Sequence, residues 1–135
     1  MLIEASIQQL LSQKDTVVRL FYDRFLAQYP EVREYFAGID LEQQALALTM
    51  SLVMVENLFS HAYPATRHYL HVLGYRHHLR GIRADLYPQF CDCLLETLAE
   101  FHGNDWDAKL STEWRDALEM ASKTMLEGYR KPYVY

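Results

Sequence analysis

Two adjacent imidazoles, His77 and His78, stand in the run Leu73-Gly74-Tyr75-Arg76-His77-His78-Leu79-Arg80-Gly81-Ile82. A neutral imidazole can ligate a metal or move a proton near pH 7. One step along a helix turns a side chain by roughly 100°, so only one of the two can face a given site. On their own they fit a solvated histidine pair better than a site. Tyr22, the pair Gln43 and Gln44, and Tyr87, ten residues after His77, add hydroxyl and amide donors. His61, His68, His71 and His102 are scattered and are expected to be solvated. No compact motif joins any histidine to a carboxylate, which disfavours an enzyme built on acid and base side chains. Cys91 and Cys93 flank Asp92 in a helical stretch, where positions two apart point in different directions, so neither a disulfide nor a thiolate metal site is expected.

The elements that must position these groups are all helical. Apolar residues recur at steps of three and four along most of the chain, and no alternating stretch stands out as a strand. Ile3, Ile7, Leu10 and Leu11 mark a first helix ending near Gln13. Asp15 is expected to cap a second helix that carries Val18, Phe21, Tyr22 and Phe25. Pro30 and Glu31 suit the first turn of a short helix that delivers Tyr35 and Phe36 to a corner. Asp40 with Gln43 resembles a capping box opening a long helix over 41–59, broken at Tyr63-Pro64. The next segment, 64–79, is expected to be interrupted at Gly74 and stopped by Gly81. Asp85 or a neighbour caps a helix closed at His102-Gly103, and Ser111 or Thr112 starts the last helix, which carries Trp114, Ala117, Leu118, Ala121 and Met125 as far as Gly128. The tyrosine-rich tail, 129–135, carries no readable mechanism.

The 135 residues suit one domain, 1–135, with a core large enough to need no disulfide. A net charge of −5 leaves no basic stripe to offset phosphates, which argues against nucleic acid and anionic membranes as partners. The longest apolar stretch, 46–55, contains Thr49 and Ser51 and is too short to span a bilayer. The first residues lack the pattern of a signal peptide, so a cytoplasmic location is expected.

Four segments are similar to the single-domain bacterial haemoglobins and to the globin domain of flavohaemoglobins. They are Phe21-Tyr22, Pro30-Glu31-Val32-Arg33-Glu34-Tyr35-Phe36, residues 40–48, and the run from Leu73 to Ile82 with Tyr87. Together the resemblance covers about residues 17–125. It implies an all-α globin fold of seven to eight helices around one haem b, iron protoporphyrin IX. It makes His77 the iron ligand, with Tyr87 in contact with it, because the family places its proximal histidine before the same glycine and tyrosine. It implies that Phe36 lies against the haem and that Tyr22 faces the ligand. Gln44, with Gln43 as the alternative, stands at the distal helix position, and Leu48 closes the pocket.

The implied function is reversible binding of O2, and of NO or CO, at a five-coordinate iron. NO dioxygenation would need an external reductase, since the flavin and nicotinamide half of a flavohaemoglobin is absent. A haem-based gas sensor or a protein-interaction module is the competing reading. The chain departs from the family in the last helix. The acidic partner of the proximal histidine and tyrosine falls at Tyr129, while Glu127 stands two positions early.

Overall fold

The computed structural model describes residues 1–130. The rest of the tyrosine-rich tail, 131–135, lies outside the described residues. The order is α1 (Ile3–Ser12), α2 (Lys14–Gln28), a 3-10 segment (Pro30–Phe36), α3 (Leu41–His61), α4 (Pro64–Leu79), α5 (Leu86–His102), a 3-10 turn (Gly103–Asp105) and α6 (Ala108–Glu127). The described residues form no strand, and none of their helices is long and apolar enough to cross a membrane.

Helix α1 buries Ile3, Ser6, Ile7 and Leu10, one stripe at helical spacing. Helix α2 follows after Gln13 alone, and Asp15 does not cap it. The Gln13 carbonyl already accepts from the N–H groups of Thr16 and Val17 at 3.1 and 3.2 Å, so Asp15 sits inside the first turn, where its charge complements the positive end of the helix dipole. Asp40 does cap α3, accepting from Glu42 N–H at 2.9 Å. Gln43 returns no bond among the described residues, so only half of the capping box forms. Helix α3 runs past the expected end to His61 and stops at Ala62, whose φ is 55°.

Gly74 does not interrupt α4. A Cβ there would lie 1.9 Å from the carbonyl oxygen of Met125, so its missing side chain lets α4 and α6 cross in contact. Gly128 meets α4 in the same way, since a Cβ on it would lie 2.3 Å from the His71 carbonyl oxygen. Gly81, at φ 77°, makes the left-handed turn expected of it. Asp85 precedes α5 without a side-chain capping bond, its carboxylate pairing with Arg83 at 3.3 Å instead. Helix α6 starts at Ala108, earlier than Ser111 or Thr112, because the Asp107 carboxylate accepts from Leu110 N–H at 2.7 Å while Leu110 itself is fully buried.

A single apolar cluster draws on all six helices. Phe21, Phe25 and Phe90 form its aromatic centre, with ring centroids 4.9 to 5.7 Å apart. Burying each ring stabilises the fold by roughly 1.5–3 kcal/mol, and here it also joins α2 to α5. At the surface Arg24 pairs with Glu100 across the same two helices. The side of the cluster between α3 and the end of α4 is left hollow.

Candidate functional site

The hollow is a cavity of about 370 Å3, lined by residues of α2, the Pro30–Phe36 segment, α3, α4, α5 and α6. Its lining is mostly apolar, with Val55, Leu70, Leu73 and Met125 among the walls. His77, Tyr22, Gln44, Leu48, Phe36 and Tyr87 all line it. His78 and Gln43 do not line it, and both are exposed.

His77 sits in the last turn of α4, half-buried. Burial, and then the neighbouring Arg80 guanidinium, lower its pKa to about 4, so the ring is neutral at pH 7. Its Nδ1 lies 3.2 Å from the Tyr87 hydroxyl. Burial and the bond to Tyr129 raise the Tyr87 pKa, so it stays a protonated phenol. The Tyr129 hydroxyl lies 3.3 Å from that of Tyr87 and donates to the Ile82 carbonyl at 2.8 Å. Glu127 is exposed and joins none of these bonds among the described residues.

Tyr22 is buried, with its ring edge-on to Phe36 at a centroid distance of 5.5 Å. Burial raises its pKa, and hydrogen bonding with the Gln44 side chain partly offsets the rise. A phenol and a primary amide, bonded to each other, therefore line the same cavity as an imidazole.

Sequence reasoning missed several residues. Arg76 and Arg80 line the cavity yet are exposed, which places two guanidinium groups at its rim. Their spacing of four on the helix of His77 was the available signal. Arg80 also donates to the Tyr35 carbonyl at 2.9 Å, and the Tyr35 hydroxyl to the Gly81 carbonyl at 3.4 Å. Cys91 forms part of the wall and shares a hydrogen bond with Ser122 at 3.3 Å. Both cysteines are free.

Two of the histidines expected in solvent are buried, at 3% exposure for His71 and 7% for His102. For His102 the reason is a set of partners distant in sequence. Its Nε2 lies 2.6 Å from the Ser6 hydroxyl and its Nδ1 3.2 Å from Gln9 Oε1, while its ring stacks on Trp106. His61 and His68 are exposed, as expected.

A larger groove of about 570 Å3 runs along the outer face of α5 and α6, rimmed by Asp92, Arg115, Glu119 and Lys123. It has no imidazole and no convergent donor set, so the chemistry belongs to the inner cavity.

No three metal-binding side chains cluster among the described residues. One neutral imidazole facing an apolar cavity therefore suits a metal that arrives with its own macrocycle. The two rim cations suit anionic carboxylates on that macrocycle, and the Phe36 ring suits its flat face. The residues present fit a haem.

The globin family model matches residues 19–125. No curated protein matches the chain.

Proposed function

The chain belongs to the globin family, and from that membership we propose that it is a bacterial-type, single-domain haemoglobin that binds one haem b through His77 and reversibly captures O2, NO or CO. Haem, when bound, supplies a ferrous iron with one open coordination position. What the protein supplies is position, charge and dryness.

The observation that carries the reading is the commitment of His77 Nδ1 to Tyr87 in a ring that also lines the cavity. A proton on Nδ1, donated to the Tyr87 hydroxyl, would leave the Nε2 lone pair for a metal. The rim guanidinium groups of Arg76 and Arg80 would hold the haem carboxylates, and Phe36 would rest against its plane. Leu48 and Val55 exclude water from the cavity, where Tyr22 and Gln44 offer donors to a small polar ligand. His77 is the one histidine among the residues lining the cavity, so no second imidazole would be available and a ligand-free ferrous site would be five-coordinate.

NO dioxygenation by this chain would draw its electrons from an external reductase of the flavoprotein class. The test is absorption spectroscopy of the purified protein. A strong Soret band that shifts on adding CO to the reduced form supports the reading, and a colourless protein that takes up no added haem overturns it.

A further inference from the structure

Along α6 the charged residues Arg115, Glu119, Lys123 and Glu127 recur at steps of four with alternating sign. All four are exposed, and all four line the outer groove on α5 and α6. Residues four apart are neighbours on a helix surface, so each could pair with the next along the helix. None does: among the described residues no ion pair includes any of them. The groove they edge has a volume of about 570 Å3 and includes Leu95, Leu118 and Leu126 in its lining.

Such a row is complementary to its own reverse. Turned end for end about the point midway between Glu119 and Lys123, it sets Glu119 against Lys123 and Arg115 against Glu127, each cation opposite an anion. A second copy related by a two-fold axis and laid antiparallel presents that reversed row. A parallel copy in register would set like charges against each other. Rows at steps of four are also the ridges by which two helices interlock. The remaining charges of the groove fit an identical partner too. Asp92 and Arg130 add one more of each sign to the lining, so its charges sum to zero on a chain whose net charge is −5. Two acidic copies can meet at this face without net repulsion, whereas a strongly acidic or basic partner would find no field of opposite sign.

We propose that this groove is the interface of a homodimer: two copies pack α6 against α6 antiparallel about a two-fold axis, Glu119 of each pairs with Lys123 of the other and Arg115 with Glu127, and the apolar lining is covered between them. The inference is independent of the haem reading.

Sedimentation velocity on the full chain as purified tests it, using the parent, Glu119→Lys, Lys123→Glu and the double variant that carries both changes. The parent should be a dimer. Exposed ion pairs are individually weak, but by symmetry one reversal turns two attractions into two repulsions, so each single variant should dimerise about tenfold more weakly. The double variant restores opposite charges across the axis and should return to the parental affinity. An equal mixture of the two single variants should do the same as a heterodimer, which a loss of helix stability would not produce. Carbodiimide coupling of the parent, mixed from nitrogen-14 and nitrogen-15 chains, should form a Glu119–Lys123 amide between chains. A monomeric parent overturns the proposal, as does a dimer that the single reversals leave unchanged. Single variants that remain weak both when mixed and when combined exclude the antiparallel pairing and overturn it as well. Should a single variant fail to fold, the coupling decides, and an amide formed only within chains is the overturning result.

Discussion

The indole N–H of Trp114 donates to the Ser6 hydroxyl at 2.9 Å, joining α6 to α1 in the fully buried core. The same hydroxyl meets His102 Nε2 at 2.6 Å, so one small oxygen satisfies polar groups from two other helices. Removing it leaves both unpaired in an apolar setting. Ser6→Ala should destabilise the haem-free protein by about 1–3 kcal/mol, measured by urea unfolding. A midpoint equal to the parent's would mean that water replaces the hydroxyl.

Two imidazoles whose pKa values are lowered by burial make stability depend on pH. Burial lowers the pKa of His102 below its ordinary 6.5, against an opposing pull from Asp105, and burial takes His77 to about 4. Below pH 6.5 the unfolded chain takes up protons that the native state refuses, so stability is full above 6.5 and falls as the pH drops towards 4. His102→Gln should flatten part of that slope in the haem-free protein. Urea midpoints at pH 7.5 and 5 for the two proteins check it, and parallel losses would refute the assignment to His102.

His77→Ala should lose haem or hold it weakly, whereas His78→Ala should keep it, because His78 is exposed and absent from the cavity wall. Haem transfer to apomyoglobin reads the difference. Equal retention by the two variants would contradict the register.

Tyr22→Phe removes one hydroxyl from the cavity lining and leaves the ring contact with Phe36 in place. A hydrogen bond to an oxygen with anionic character contributes roughly 1.5–3 kcal/mol. At about 1.4 kcal/mol per factor of ten, O2 dissociation should quicken by one to two orders of magnitude, with CO much less affected. Gln44→Leu should give a smaller change in the same direction. Stopped-flow O2 release within twofold of the parent in Tyr22→Phe would make the tyrosine a packing residue only.

Gly74→Ala forces a methyl into the Met125 carbonyl oxygen, 1.9 Å from the ideal Cβ position. Backbone cannot step aside as a side chain can, so a loss of about 1–3 kcal/mol or more is expected. A thermal midpoint at or above the parent's would show that the helices separate without cost.

Local chemistry was legible in the sequence and distant partnership was not. Asp40 announced the start of α3 because a cap acts over two residues. The start of α6 offered several capping side chains within six positions, and the choice of Asp107 depends on Leu110 docking in the core. Gly74 was visible as a missing side chain, but whether that breaks a helix or admits a neighbour depends on a carbonyl 51 residues away. His102 looked like any polar residue near a helix end, since its partner Ser6 lies 96 positions earlier. The family resemblance pointed to the cavity residues, and the geometry then put Gln44 on the wall and Gln43 in solvent. It also singled out position 129, although only the folded chain shows what a tyrosine there touches.

The bond from Tyr129 to Ile82 spans 47 positions and closes at the far end of α6. A ribosome adds roughly 5–20 residues per second, and the exit tunnel holds back the newest part of the chain. The cavity walls on α2, α3 and α4 can therefore begin to associate seconds before Tyr129 is free to dock. A nascent chain would present His77 and its apolar hollow with the proximal ring still able to turn. The contact that ties the end of the described chain to the corner after α4 is the last of these to become available.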